Sequence, residues 1–174
     1  PPELYRKYKH MAQASMNSVK EIANRVDREF REEFGRGYGL IEPVMLEDAE
    51  VVLVTSGSIT STARIAIRNL RGRGHKVGLL KIRLFRPFPA EEIRNALKGR
   101  KKIAVLDRNI SLGSGGIFCQ ELRAALVHSS DRPLTFSYIA GIGGTDVDPE
   151  AIEKIGLDIM KRTEPVDTPI WIME

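Results

Sequence analysis

A chain of 174 residues is long enough for one compact domain with an appendage and too short for two full domains. With 42% hydrophobic and 29% charged residues it has the composition of a folded, water-soluble protein and no low-complexity tract. The net charge of +4 comes from dispersed basic residues diluted by Glu and Asp, which excludes the concentrated basic face that a nucleic acid requires.

Pro1 and Pro2 stand where an initiator Met would, and the chain is read as a piece of a longer gene product. Residues 3–34 carry an amphipathic pattern in which Met11, Ser15, Val19, Ile22, Val26, Phe30 and Phe34 recur every three or four positions. That spacing predicts one long helix of roughly 45 Å, more than a small domain needs to cover itself, so it is expected to serve as a tether or a partner surface. Gly35, Gly37 and Gly39 end it, and residues 1–37 form a linker helix and turn.

Residues 40–46 are predicted as an edge strand, because Pro43 has no amide to donate to a ladder. From Glu50 onward the pattern alternates. Strands are predicted at 51–55, 77–84, 102–106 and 134–139, with helices at 60–73, 90–98, 116–127 and 149–162. A repeated strand–helix order predicts a mainly parallel sheet with right-handed crossovers, and helices on both faces require strands as apolar as Val51–Val54 and Ile103–Leu106. The domain is assigned to residues 38–162. The tail, 163–174, places Pro165 and Pro169 before Ile170, Trp171, Ile172 and Met173 and is expected to dock on the domain or on a partner.

Open α/β sheets carry their working loops at the carboxyl ends of strands. Thr55, Ser56, Gly57 and Ser58, followed by Thr60, Ser61 and Thr62, have two readings: an anion cradle of free amides, or hydroxyls that cap the next helix, the commoner use. Gly113, Ser114, Gly115 and Gly116 occupy the position of a phosphate-binding turn without the spacing of a dinucleotide site, so tight chain reversal is favoured there. Asp107 is expected to pair with Arg83 or Arg86 across neighbouring strand ends. Cys119 reads as a small core hydrophobe, and a single cysteine allows neither an internal disulfide nor a cysteine-ligated cluster. His10, His75 and His128 lie far apart without acidic or hydroxyl partners, so neither a catalytic triad nor a metal site is proposed. No apolar run approaches the roughly 20 residues of a membrane span, and the cytoplasm is the expected compartment.

Three segments in order, KIRLFRPFPAEEI from Lys81, IAVLDRNISLGSGGIF from Ile103 and YIAGIGGTDVDPEAI from Tyr138, resemble the second domain of 2-oxoacid:ferredoxin oxidoreductase alpha subunits, the pyruvate:ferredoxin oxidoreductases (pyruvate synthases) among them. The resemblance runs from about residue 38 to 155, and GRGYGLIEP resembles the linker into that domain. It implies an α/β fold of three layers, α/β/α, similar to the transketolase carboxyl-terminal domain, with a mixed, mainly parallel five-stranded sheet whose antiparallel strand is 40–46. The family decarboxylates a 2-oxoacid, of which pyruvate is the expected one, on thiamine diphosphate with Mg. It passes electrons through iron–sulfur clusters to ferredoxin and transfers the acyl group to coenzyme A.

The chain lacks a Gly-Asp-Gly thiamine diphosphate signature. The resemblance therefore puts these cofactors on a thiamine-binding beta, a gamma and an iron–sulfur delta subunit, and the pyrimidine-activating domain ahead of Pro1. This chain is expected to be an assembly domain, inactive alone and binding no cofactor itself. The expected contact rim is Arg83, Phe85, Arg86 and Pro87, with Asp107, Arg108 and Asn109, and Gly143, Gly144 and Asp146. Two other readings are a freestanding module binding a phosphorylated small molecule through 56–58 or 113–116, and a scaffold of an unrelated complex.

Overall fold

Strands β2 (Val51–Thr55) and β4 (Lys102–Asp107) run side by side through the middle of the sheet, buried on both faces as their unbroken apolar runs require. β3 (Val77–Ile82) lies outside β2, β5 (Leu134–Ile139) outside β4, and all four are parallel. β1 (Ile41–Val44) pairs antiparallel with β3, opposing Ile41 to Ile82, and as an edge strand it tolerates Pro43. These features come from a computed structural model that describes residues 1–173.

Alternation along each strand sorts the core into two layers. Leu53, Leu79, Leu106 and Phe136 face helices α3 (Ile59–Gly72) and α6 (Pro149–Lys161), whereas Val52, Val54, Leu80 and Val105 face α4 (Ala90–Leu97) and α5 (Ile117–Leu126). Gly156 lets α6 settle on α3, since a Cβ there would lie 2.7 Å from the Leu70 side chain. Cys119 is buried in the α4/α5 layer, where burial pushes its thiol above the usual range.

The sheet has six strands rather than five, in the order β1-β3-β2-β4-β5-β6. The sixth, β6 (Ile170–Trp171), comes from the tail and pairs with Tyr138 and Ile139, and Ile172 N donates to Ile139 O. A two-residue strand behind two prolines has no periodicity to read, and its docking is driven by burial of Val166, Ile170 and Ile172 against the core.

The single long helix expected at 3–34 is instead two, α1 (Pro2–Asn17) and α2 (Val19–Phe34). Ser18 interrupts them: its hydroxyl donates to Ser15 O at 2.8 Å, a local bond that competes with the helical ladder. Ser18 keeps helical angles (φ −80°, ψ −11°), so α1 continues outward from α2 and does not fold back on it. Gly35 closes α2 in the left-handed region (φ +67°), its amide donating to Arg31 O.

Candidate functional site

The carboxyl ends of β3, β2, β4 and β5 open onto one rim, and its loops are bound to their surroundings in different ways. Arg83, just past β3, donates to the Tyr38 carbonyl and to Glu42 and lies over the Tyr38 ring, 5.2 Å from its centroid. Arg64 of α3 takes the other Glu42 oxygen. Burial alone would raise the Glu42 carboxyl, but these two guanidinium groups hold it below the usual range. Tyr38 is in turn tied to the arm, because Asp27 accepts the amides of Tyr38 and Gly39. Those amide bonds keep the Asp27 carboxyl low.

The Phe85–Phe88 segment reaches across to α5. Phe85 packs on Phe118 at 4.7 Å between centroids and meets Phe88 edge-on at 6.2 Å. Arg86 lies over the Phe85 ring, 4.1 Å from its centroid, and donates to Glu121 at 2.5 Å. Phe118 and Glu121 lie three apart on α5, one helical turn, which is why a single loop engages both. The Arg86–Pro87 peptide is cis.

Asp107 does not pair with Arg83 or Arg86. β2 separates β3 from β4, which puts the two strand ends about 10 Å apart, twice the strand spacing. The Asp107 carboxylate, 1% exposed, instead accepts Phe118 N at 2.9 Å and Cys119 N at 3.1 Å, and Asn109 Oδ1 accepts Ile117 N at 3.0 Å. Burial pushes the Asp107 carboxyl up, against the pull of those amides. The start of α5 therefore already holds a carboxylate, and Pro169 of the tail lies against Gly115. Residues 113–116 do not fit a phosphate or diphosphate. At 55–60 the hydroxyls of Thr55 and Thr60 pair at 3.0 Å in the core, and Ser58, at the head of α3, does not cap it with its side chain.

The β5–α6 loop is the open part of the rim. Arg108 donates to Gly141 O through Nε and Nη2, both at 3.3 Å, and a Cβ at Gly141 (φ +72°) would press on that guanidinium. Gly143, Gly144 and Asp146 are exposed. Thr145 Oγ1 donates to Ile142 O, and Asp148 caps α6 by accepting Ala151 N. Between this loop and the tail lies a cleft of about 220 Å³ walled by Ile139, Ile142, Val147, Trp171 and Ile172.

Of the ten rim residues expected from sequence, the structure ties Arg83, Phe85 and Arg86 to neighbouring elements, leaves Pro87 half-buried beside them, draws Asp107 inward and sets half-buried Asn109 against the start of α5. Arg108, Gly143, Gly144 and Asp146 stay outward. Sequence reasoning missed Glu42 and Glu121, the two carboxylates that hold the arginines. Glu121 was readable from its three-residue offset to Phe118, whereas Glu42 required the antiparallel register of β1. Among the described residues, no group of three His, Cys, Asp or Glu side chains is arranged to hold a metal, and no helix is long and apolar enough to cross a membrane.

Residues 49–152, which include all three rim segments, match the family model described as pyruvate:ferredoxin oxidoreductase core domain II. The chain is 44% identical to pyruvate synthase subunit PorA of Methanothermobacter thermautotrophicus over 98% of its own length and 43% of the relative's. Identity is 41% with PorA of Thermotoga maritima, over 87% of this chain and 39% of that one. It is 38% with ketoisovalerate oxidoreductase subunit VorA of Pyrococcus abyssi, over 94% and 42%. The chain thus spans less than half the length of these relatives.

Among solved structures, 2-oxoglutarate:ferredoxin oxidoreductase from Magnetococcus marinus superposes with a TM-score of 0.54 at 22% identity, over 76% of this chain and 21% of that one. A split-gene transketolase superposes with 0.52 at 13%, over 68% and 41%. At these identities the two share the fold.

Proposed function

This chain belongs to the pyruvate:ferredoxin oxidoreductase core domain II family, and from that premise we propose that it is the second domain of the alpha subunit of a 2-oxoacid:ferredoxin oxidoreductase. The whole enzyme oxidatively decarboxylates a 2-oxoacid, in this reading pyruvate, to an acyl-coenzyme A and reduces ferredoxin. The observation that carries the reading is the family match across 49–152 with its three rim segments in order. Relatives named for pyruvate and for ketoisovalerate both match, so the acid is chosen outside this domain.

In this reading the chain does no chemistry alone. Thiamine diphosphate, Mg, the iron–sulfur clusters and coenzyme A belong to the thiamine-binding beta, gamma and delta subunits and to the remainder of alpha. The likeness to a structure described with coenzyme A bound is consistent with that family chemistry. The filled start of α5 supports the same division of labour, since the chain's own Asp107 stands where a phosphate would be held.

The domain acts as an assembly part in the cytoplasm. Arg83, Phe85, Arg86 and Pro87 form a rigid platform, Asp107 and Asn109 shape it from beneath, and Arg108, Gly143, Gly144 and Asp146 make the outward contacts. Capture from native extract with this chain as bait is expected to recover a thiamine-binding and an iron–sulfur subunit with 2-oxoacid-dependent ferredoxin reduction. Arg86→Glu also meets Glu121 within the domain and Arg108→Glu gives up only the long bonds to the Gly141 carbonyl, so Arg108→Glu, with its unfolding midpoint as control, is expected to weaken assembly by about tenfold because the reversed charge turns attraction at the rim into repulsion. Recovery of a lone monomer, or unchanged assembly and turnover in both variants, would overturn the proposal.

A further inference from the structure

The arm formed by α1 and α2 meets the body at one joint. Neither helix buries a side chain, so few contacts fix the direction in which the arm points. Residues 35–39 belong to the arm. Asp27 accepts the amides of Tyr38 and Gly39, Arg31 pairs with Asp27 at 3.1 Å, and a Cβ at Gly37 would lie within 2.7 Å of both side chains, so this turn is clasped against α2. Phe30 adds a ring contact to Tyr38 at 5.7 Å between centroids.

Leu40 belongs to the body. Its side chain is buried, and its carbonyl accepts Arg83 N at 3.0 Å and Leu84 N at 3.1 Å. The boundary between arm and body therefore falls on the dihedrals of Gly39, which sits in the left-handed region (φ +64°) open to glycine.

One side chain spans that boundary. The Arg83 guanidinium donates to the Tyr38 carbonyl on the arm side, and to Glu42 on the body side, where Arg64 of α3 holds the same carboxylate. Arg83 and Glu42 are both half-buried, which protects their pair from screening. The bond to the neutral carbonyl is the weaker of the two and the one that gives way first. Among the described residues the only other polar tie from arm to body is Lys20–Glu92, at 2.8 Å, further up α2. Leverage is large. The arm reaches about 45 Å from the joint, so a turn of about 20° at Gly39 carries its tip about 15 Å.

We propose that Arg83 is the bolt of this joint: while its guanidinium bridges Tyr38 and Glu42 the arm holds one direction, and when it is drawn off Tyr38 the arm swings about Gly39. Arg83 also opens the rim segment 83–87. On the assembly role proposed above, a neighbour that engages the rim and a neighbour that engages the arm thus act on the same residue.

The test is a distance measured by pulsed electron paramagnetic resonance between spin labels at Gln13→Cys on the arm and Arg68→Cys on α3, both exposed positions. Arg68→Cys with Lys101→Cys gives a control distance within the body, and the native Cys119 is buried away from the label. The parent is expected to show one narrow arm-to-body distribution. Arg83→Met, which keeps an apolar stem over Tyr38 and removes the donors, is expected to widen it by about twofold, and Arg83→Lys to recover part of the narrowing. Lys20→Glu widens it less, and adding Glu92→Lys restores the parent width. The control distance stays as in the parent throughout. A parent distribution already as broad as that of Arg83→Met, or an Arg83→Met distribution as narrow as the parent's, would overturn the proposal. Broadening of the control pair would overturn it too, by showing that Arg83 braces the body and not the joint. Failure here leaves the assembly reading standing, since that reading is tested by capture of other subunits.

Discussion

Asp107 is the one acidic side chain of the rim drawn fully into the core, and it is there to hold a helix end. Replacing it with Ala orphans two amides, each worth about 1–3 kcal/mol when buried, so Asp107→Ala is expected to lower stability by about 3 kcal/mol in urea unfolding. Gly116 is coupled to it, since a Cβ there would collide with the carboxylate. Gly116→Ala alone is expected to be at least as damaging, and milder but not neutral in the Asp107→Ala background, because the Cβ of residue 107, 2.7 Å from the added methyl, remains. Additive effects in that cycle would refute the coupling. The sequence marked Asp107 as a charge ending a buried strand, but its partner depended on strand order. Because β2 lies between β3 and β4, the arginines that are close in motif are remote in space.

At the scale of elements, β5 and α6 are tied by one polar cluster. Tyr138 OH donates to Asp158 Oδ2 at 2.6 Å, and Arg162 Nε donates to the same oxygen at 2.7 Å. Burial alone would raise the Asp158 carboxyl, but the Arg162 and Tyr138 hydrogen bonds hold it below its ordinary 3.8. A carboxyl lowered in the fold contributes stability that is complete above the unfolded value and is lost as pH falls through the lower folded value. Asp158→Asn is therefore expected to lower stability at pH 7 and to flatten the loss below about pH 4, as urea midpoints across pH would record. An acid limb as steep as the parent's would show that other carboxyls control it. The alternation of strands and helices was legible because β2 and β4 are unbroken apolar runs that need helices on both faces. The break between α1 and α2 was not, since Asn17 and Ser18 are ordinary on an exposed helix and only the back-bond to Ser15 reveals a stop.

For the whole molecule, the two ends of the described chain differ in kind. The arm is joined to the body by the Lys20–Glu92 ion pair, by Asp27 at Tyr38 and Gly39 and by the Phe30–Tyr38 ring contact, all at or near the surface, where an ion pair contributes about 0–1 kcal/mol. The tail is built into the sheet. β6 covers the outer edge of β5 at Tyr138 and Ile139, Pro169 rests on Gly115, and Val166, Ile170 and Ile172 pack on the core. Partial burial of those three apolar side chains is worth about 3 kcal/mol, and their removal also opens a strand edge to other chains. Ending the chain after Arg162 is expected to lower stability by about that amount and to bring concentration-dependent light scattering. Removing residues 1–34 is expected to leave unfolding of the body within about 1 kcal/mol. Equal losses from the two truncations would mean that the arm is part of the core. A harmless tail deletion would mean that β6 is an ornament on the sheet and that β5 tolerates an open edge, contrary to the burial of Ile170 and Ile172.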